Sequence, residues 1–326
     1  MQTVEEANAH TIDGDKIGHD GDISINASGR AEILYGNMGD GRVTTAGDFT
    51  VSGGESVYID SDLHIGKDLN LSSDGEIVLD LSNMGNISKE NLHKNFLDHF
   101  KQVGTINVRD EGADGFMIAL DMWEEADPES GKAAGFNLNK YDVSEEDYDG
   151  ASDHKLAEDI KDLTISLNDE ELDDNGAQAH TYIWVDGAEQ LNGIQAYKNA
   201  NEASKILTYN FALKNDIDAS ALTDYEEIGG TTGYSGTFDG RGFRIIGLNA
   251  NLNEDGTEHE ENDAHSRAGI FGTIGNEGKV RDLSVYASKF TGKAAAGAIA
   301  GVNKGEIKDV ITFGNEVKVL GTESAY

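Results

Sequence analysis

Residues 63–79 read LHIGKDLNLSSDGEIVL, in which three triplets place apolar residues two positions apart between turns rich in Gly, Asp and Ser. Apolar residues at this spacing lie on one face of a β-strand, so each triplet predicts a short strand with one buried face. The same alternating pattern continues towards the N-terminus, where the predicted strands are Ile23–Ile25, Ile33–Tyr35, Phe49–Val51 and Val57–Ile59. Strands recur about every ten residues and full turns about every twenty, which is typical of a solenoid.

A shared lead-in precedes three of these strands: Gly21-Asp22, Gly47-Asp48 and Lys67-Asp68. In a narrow parallel coil the chain turns sharply at each corner, and glycine tolerates the backbone angles that corners need. The aliphatic residues between corners would stack on their counterparts one coil away, about 4.8 Å along the axis. The sequence therefore predicts an all-β fold, specifically a right-handed parallel β-helix.

Residues 88–180 interrupt this rhythm and are predicted to form an inserted helical and acidic excursion on the solenoid. Ser88 is a candidate N-cap, and an apolar stripe at helical spacing follows it up to Val103. Thr105–Val108, Phe116–Leu120 and the pair Ile165 and Leu167 read as strands again. We therefore expect N-terminal coils over residues 1–87, the excursion over 88–180, and C-terminal coils over 181–326.

A second motif, apolar-x-x-apolar, recurs in the C-terminal region after a glycine. Its three copies run from Ile245 to Leu248, from Val280 to Leu283 and from Ile307 to Val310, and the preceding glycines are Gly242, Gly278 and Gly305. A glycine-bounded signature precedes two of these copies, from Gly269 to Gly272 and from Gly297 to Gly301. We expect these residues to occupy equivalent positions in successive coils.

At these residues the chain resembles the GLUG-type repeats of large exported bacterial proteins. The GIFG at Gly269 and the GAIAG stretch that begins at Gly297 are similar to the GLUG motif, and Ile183–Asp186 and Gly236–Gly240 are similar to its lead-in. Such repeats occur in filamentous-haemagglutinin-like exoproteins of two-partner secretion and in some autotransporter passengers. The resemblance covers residues 181–326 and, loosely, the first 80 residues, and Arg241 and Phe243 depart from the usual Asn and His. It implies a parallel β-helix, an outer-membrane secretion partner, and adhesion to a host or bacterial cell-surface protein or glycan.

Composition narrows the function classes. The formal net charge is −36, from 61 acidic and 25 basic residues, which argues against nucleic-acid binding because phosphate contacts need clustered Lys and Arg. No apolar run approaches the length of a membrane-spanning helix. The chain has no cysteine, which excludes disulfides and thiolate metal sites. The opening residues lack the features of a signal peptide, and we interpret the chain as a fragment of a mature, exported protein.

Candidate chemistry is sparse. Asn251, Asn253 and Asp255 alternate before a glycine as at the start of a calcium-binding loop, although an ordinary acidic loop is the simpler interpretation. No catalytic residue, and no cofactor other than this calcium ion, is predicted. Asp239, Arg241 and Arg244 would suit a polysaccharide-cleaving enzyme only if they converged, and we expect a tight corner there instead.

The predicted function is structural and adhesive. We expect a secreted or cell-surface stalk, not an enzyme, whose excursions at residues 88–180 and 254–265 present a binding surface. Two alternatives remain open: a β-helical polysaccharide lyase or hydrolase, and the non-catalytic stalk of a secreted autotransporter protease.

Overall fold

The computed structural model describes residues 2–5, 9–13, 16–19, 21–34, 42–82, 104–110, 115–138, 140, 164–173, 176, 179–194, 205–251, 257 and 266–320. Over these residues the fold class is all-β, as predicted. The chain divides into two compact units, one formed by Met1–Asp121 with Asn139–Tyr182 and the other by Met122–Leu138 with Ile183–Tyr326. The helix expected over residues 88–103 lies outside the described residues.

The strands are short, and none of those described exceeds five residues. Up to Tyr182 they are β1 (Gln2–Glu5), β2 (Ala9–Asp13), β3 (Lys16–His19), β4 (Ile23–Ala27), β5 (Arg30–Leu34), β6 (Arg42–Thr45), β7 (Phe49–Gly53), β8 (Ser56–Asp60), β9 (Asp62–Ile65), β10 (Leu69–Ser73), β11 (Glu76–Asp80), β12 (Ile106–Asp110), β13 (Phe116–Leu120), β14 (Trp123–Glu124), β15 (Gly135–Phe136), β16 (Ile165–Leu167) and β17 (Glu170–Glu171). They continue with β18 (Thr181–Val185), helix α1 (Ala188–Gly193), β19 (Asn210–Leu213), β20 (Ile217–Asp218), β21 (Thr237–Asp239), β22 (Arg244–Ile246), β23 (Arg267–Ala268), β24 (Phe271–Ile274), β25 (Lys279–Arg281), β26 (Ser284–Tyr286), β27 (Lys289–Gly292), β28 (Ala295–Ala296), β29 (Ala300–Asn303), β30 (Glu306–Lys308), β31 (Ile311–Phe313) and β32 (Glu316–Val319).

In the first unit, strands pair in parallel with the strand one repeat further along the chain. The rows run β1-β4-β7-β10-β12-β16, β2-β5-β8-β11-β13 and β3-β6-β9. Phe49, for example, lies beside Ile23 on one side and Leu69 on the other. The hydroxyls of Ser52 and Ser72, which are 20 residues apart, are 2.9 Å from each other. Paired strands are thus 26 residues apart from β4 to β7 and 20 apart from β7 to β10, close to the spacing of about twenty that the sequence predicted.

The strands predicted from Ile23 to Leu79 are confirmed, although Tyr35 lies outside the described residues. Their apolar residues point inward as expected: Phe49, Val57, Ile65, Leu69 and Ile77 are all fully buried. Burying a side chain of this size contributes roughly 1.5–3 kcal/mol to the free energy of unfolding, so every strand of a row stabilises the fold.

The strands predicted within residues 88–180 are also confirmed, and they continue the rows of the first unit. Ile106 pairs with Leu69, and Ile165 pairs with Ile106 in turn. Phe116 pairs with Ile77 in the neighbouring row. Strands β12, β13 and β16 of the expected excursion therefore resume the same register, and the long connections between them leave the pairing unchanged.

The second unit has the same parallel pairing with a longer repeat. Its rows run β18-β19-β21-β25-β30, β20-β22-β26-β31, β23-β28, β24-β29 and β27-β32. Asn210 accepts a hydrogen bond from the backbone of Thr237, and Asn315 accepts one from the backbone of Ser288, each across 27 positions. A longer repeat gives room for more strands in each turn, which explains the two additional short rows.

An antiparallel hairpin that the sequence did not predict belongs to the second unit. Strands β14 and β15 form it, and the Trp123 ring meets the Phe136 ring edge-on at 5.0 Å. Helix α1 ends against this pair at Gly193, where an added Cβ would overlap the Trp123 ring. The glycine is needed there because a larger residue would push the helix away from the tryptophan.

Candidate functional site

Two of the three apolar repeat motifs share one row. Val280 pairs with Ile307, and on its other side it pairs with Phe238. Ile245 does not join this row, because it pairs with Val285 in a different sheet. The predicted equivalence of Ile245 with Val280 is therefore wrong. The two motifs have the same residue pattern, but they do not stack on each other. The corner between β21 and β22 has two more residues than the corner between β25 and β26, so aligning the sequences by the motif gives the wrong strand register.

The outer apolar residues of the three motifs support the same core. Leu248 and Leu283 are buried, and their carbonyl groups accept hydrogen bonds from Lys289 and Ile311 in the next repeat. Val310, in the last described repeat, is half-buried. The motif residues are therefore rungs of the core, and their exposure rises only where no further described strand covers them.

A column of glycines stands immediately before β21, β25 and β30. Register places Gly236, Gly278 and Gly305 in successive repeats, so Gly236 and not Gly242 is the equivalent of the other two. A Cβ added to any of them would lie within 3.0 Å of a backbone oxygen of the preceding repeat. None of the three has a positive φ. The glycines are therefore required by close approach of neighbouring backbones, and corner dihedrals do not explain them.

The four glycines of the GLUG-like segments have the same explanation. Gly269, Gly272, Gly297 and Gly301 all lack a positive φ. A Cβ on Gly272 would meet the Gly230 backbone, and one on Gly297 would meet the Ala300 carbonyl, both within 3.0 Å. The expectation that these glycines supply unusual corner angles is wrong. They let two backbones pack closer than any side chain allows.

Left-handed corner residues do occur, at other positions that repeat in register. Gly247 and Gly314 have φ of 74° and 68°, and Ala287 between them has φ of 49°. Asp282 and Asp309 form a second matched pair, with φ of 50° and 51°. An aspartate tolerates this region better than most residues, whereas alanine is strained there.

Aspartates at the corners of the first unit tie each repeat to the next. Asp22 accepts a hydrogen bond from the backbone N–H of Asp48 at 3.0 Å, and Asp48 accepts one from Asp68 at 3.1 Å. Asp68 in turn accepts one from the N–H of Thr105 at 2.8 Å. Asp22, Asp48 and Asp68 are the aspartates of the shared lead-in, and each accepts the hydrogen bond of the backbone amide at the next corner.

Among the described residues of the second unit, Asp239 is the most deeply buried carboxylate. It accepts hydrogen bonds from Arg281 Nε at 2.8 Å and from the backbone N–H of Arg241 at 2.8 Å. Burial raises the pKa of Asp239, and the Arg281 guanidinium opposes that rise. The pair joins two adjacent repeats, because Asp239 and Arg281 are register partners.

The other two arginines near this corner are held elsewhere. The Arg241 guanidinium lies over the Trp184 ring, 4.9 Å from its centroid, and donates a hydrogen bond to the carbonyl of Leu213. Arg244 forms a two-point ion pair with Asp216, which lowers the pKa of that carboxyl. Asp239, Arg241 and Arg244 therefore do not converge, and residues 239–242 form the tight corner that the sequence predicted.

The calcium candidate is described only at its first residue. Asn251 Oδ1 accepts a hydrogen bond from the backbone N–H of Thr291 at 2.8 Å, so it anchors the loop to the next repeat. Asn253 and Asp255 lie outside the described residues, and calcium binding stays a prediction. Within the described ranges, no group of three or more His, Asp or Glu side chains is arranged to hold a metal ion. The described helices include none that is long and apolar enough to cross a membrane.

Comparisons with known proteins give two distant relatives. The chain is 28% identical over 229 residues to halomucin of Haloquadratum walsbyi, a match that covers 65% of this chain and 2% of halomucin. It is 30% identical over 144 residues to a Gly-rich membrane protein of Evansella cellulosilytica, which covers 41% of this chain and 15% of that protein. No protein-family model matches the chain, and no solved structure matches it. The chain thus spans a small part of each relative.

Proposed function

We propose that the chain is a segment of a secreted, cell-surface adhesin, in which stacked coils form a stiff right-handed parallel β-helix that presents loops to a cell-surface protein or glycan. The observation that carries the proposal is the unbroken parallel register within each unit, where Phe49 lies between Ile23 and Leu69 and Val280 between Phe238 and Ile307. Parallel strands joined by crossovers are right-handed in about 98% of cases, which supports the handedness.

Long connections leave this register intact, which suits the presentation of a binding loop. Ile245 and Val285 pair with each other although the connection that contains residues 254–265 lies between them in sequence. Val285 then pairs with Thr312, which is 27 residues further along the chain. The base of that connection is held by the bridge from Asn249 to Lys289 and by the hydrogen bond from Thr291 to Asn251. A loop on such a rigid base meets its partner with little loss of conformational entropy.

The relatives support a surface location. One is named a Gly-rich membrane protein, and the match covers 15% of its length. The acidic composition also suits a solvated extracellular surface. Export through an outer-membrane secretion partner is part of the proposal and depends on the resemblance to two-partner-secretion exoproteins.

The test is binding to cells and to a glycan array, with the 254–265 segment replaced by a two-residue Asn-Gly turn. The matched control replaces the exposed hairpin tip at residues 127–132 of the same unit in the same way. We expect binding to be lost only with the first replacement. Binding that survives both replacements excludes the 254–265 loop as the binding region.

The polysaccharide-cleaving alternative has a separate readout. It would release reducing or unsaturated ends from acidic glycans, whereas an adhesin leaves the glycan intact. Release of such ends by the folded chain would replace the adhesin proposal with the enzymatic one.

A further inference from the structure

The outward face of the row β20-β22-β26-β31 carries apolar side chains at one register position. Ile245 and Val285 are fully buried, so the residues beside them in β22 and β26 point outward. Register pairs Ile246 with Tyr286, and Tyr286 with Phe313. One outward column of this row is therefore apolar or aromatic in three successive repeats.

This column departs from the pattern of the first unit. The outward residues at one register position of β4, β7 and β10 are polar, namely Asn26, Ser52 and Ser72. Tyr286 is half-buried and lies between two described strands, β22 and β31, so its exposure does not depend on where the sequence ends. Adjacent apolar side chains on the surface of an acidic chain mark an interaction site more often than single scattered ones do.

The rings form a platform of a size that suits a sugar. The Tyr286 and Phe313 ring centroids are 6.1 Å apart, and the ring planes are inclined at 51°. Neighbouring strands lie about 4.8 Å apart, so the column from Ile246 to Phe313 spans about 10 Å, close to the length of a disaccharide. The face of an aromatic ring packs against the C–H groups of a pyranose, and the tyrosine hydroxyl adds a hydrogen-bonding group.

A planar polar group stands beside this platform. Arg244 lies on the same outward face as Ile246 and is diagonal to Tyr286, and its guanidinium is within electrostatic range of the tyrosine hydroxyl. Arg244 Nε donates a hydrogen bond to Asp216 Oδ2 at 3.0 Å, which fixes the guanidinium plane, while the side chain stays exposed. A guanidinium and a carboxylate held in one plane can donate to one sugar hydroxyl and accept from its neighbour.

Charge selects the class of sugar. Asp218 is the register partner of Ile246 on the side away from Tyr286, and it is exposed. A hydrogen bond from the Ser220 side chain lowers the pKa of Asp218, so the carboxylate is ionised at neutral pH. The Arg244 guanidinium is already neutralised by Asp216, and the whole chain has a net charge of −36. An anionic glycan is therefore repelled, whereas a neutral one can donate its hydroxyls to the carboxylates.

The platform lies one corner away from the base of the 254–265 loop. Ala287, which is held in a left-handed conformation, follows Tyr286 directly, and the bridge from Asn249 to Lys289 lies two residues further on. Strained residues of this kind cluster at binding sites. We infer that this face binds a neutral hexose-containing glycan, with a pyranose ring stacked on Tyr286 and its hydroxyls hydrogen-bonded to Arg244 and Asp218. The site rests on the proposed adhesive function and gives its ligand a chemical class.

The test is isothermal titration calorimetry of the full chain with neutral oligosaccharides of glucose, mannose and N-acetylglucosamine, and with oligogalacturonate as the anionic comparison. We expect a neutral oligosaccharide to bind, and oligogalacturonate not to bind. Tyr286→Leu keeps an apolar side chain in the column but removes the ring, and it should weaken binding at least about tenfold, whereas Tyr286→Phe should stay within about twofold. Tyr58→Leu is the matched control, because Tyr58 is also a half-buried, outward-facing tyrosine in mid-strand. Melting temperatures of all the variants show that the fold is retained.

Three results would overturn the inference: no binding of any neutral oligosaccharide at about 10 mM, equal binding by Tyr286→Leu and the unmodified chain, or tighter binding of oligogalacturonate. Cell binding that is lost with the 254–265 replacement would then still support the adhesin. In the converse case, a chain that binds a neutral oligosaccharide through Tyr286 but binds no cells keeps this site and rejects the adhesive function.

Discussion

Replacing Gly278 with alanine tests the view that close approach of backbones, and not corner geometry, explains the glycines. Gly278 is the middle member of the column formed with Gly236 and Gly305, and it lacks a positive φ, so alanine carries no dihedral strain. The new Cβ would overlap the Tyr234 carbonyl oxygen and approach the Ile274 side chain to 2.8 Å. Because the oxygen is backbone, relief requires neighbouring repeats to separate, and overpacking of this kind costs about 1–3 kcal/mol.

The assay is urea unfolding followed by tryptophan fluorescence. Both tryptophans, Trp123 and Trp184, are buried in the second unit and report on it. With an m-value of roughly 2 kcal/mol/M, the loss lowers the midpoint by about 0.5–1.5 M. Gly135→Ala is the control, because Gly135 has no positive φ and an added Cβ there has no neighbour within 4 Å. Equal midpoints for the two variants would refute the close-packing explanation.

Four further predictions concern a left-handed alanine, a corner aspartate, a surface ion pair and the net charge of the chain. Ala287→Gly should stabilise the second unit by about 0.5–1 kcal/mol in the same assay, because it relieves a left-handed alanine. Asp48→Ala should destabilise the first unit by about 1–2 kcal/mol in thermal melts followed by circular dichroism, and Asp48→Asn by less, since the amide oxygen can still accept the Asp68 N–H. The pKa of Asp216 is lowered by its hydrogen bond with Arg244, so its stabilisation is complete above pH 3.8 and is lost as pH falls through the lower folded value; Asp216→Asn should flatten the stability profile below pH 3.8. Raising NaCl from about 0.1 to 1 M should raise the melting temperature, because it screens repulsion within a chain of charge −36, and a fall would contradict that reasoning.

The strands could be predicted because their signal is local. In a stretch such as Leu69-Asn70-Leu71, alternate residues face the core, and the period of two survives in the sequence. The register of the second unit could not be predicted in the same way. Ile245 and Val280 carry the same motif, but only the backbone contacts around Gly236 and Gly278 reveal which positions stack.

The corner aspartates show why candidate contacts were harder to predict than strands. The lead-ins Gly21-Asp22, Gly47-Asp48 and Lys67-Asp68 are visible in the sequence, but their spelling predicts a corner role for glycine only. The carboxylate of Asp22 acts 26 residues away, on the N–H of Asp48, and that distance is visible only when the register is known. Asp239 likewise pairs with Arg281 across 42 residues, while the arginines nearest to it in sequence have other partners.

The spacing between paired strands varies far more than the pairing itself. Asp239 and Arg281 are 42 residues apart, whereas Ser288 and Asn315, one repeat further on, are 27 apart. The entropic cost of closing a loop grows only as the logarithm of its length, about 0.6 kcal/mol for each doubling, while every paired strand keeps its hydrogen bonds and buried side chains. An insertion at a corner is therefore inexpensive as long as the residues that stack are kept. Loops can consequently lengthen and diverge on this scaffold while the glycine column of the second unit and the corner carboxylates of the first hold the register in each unit.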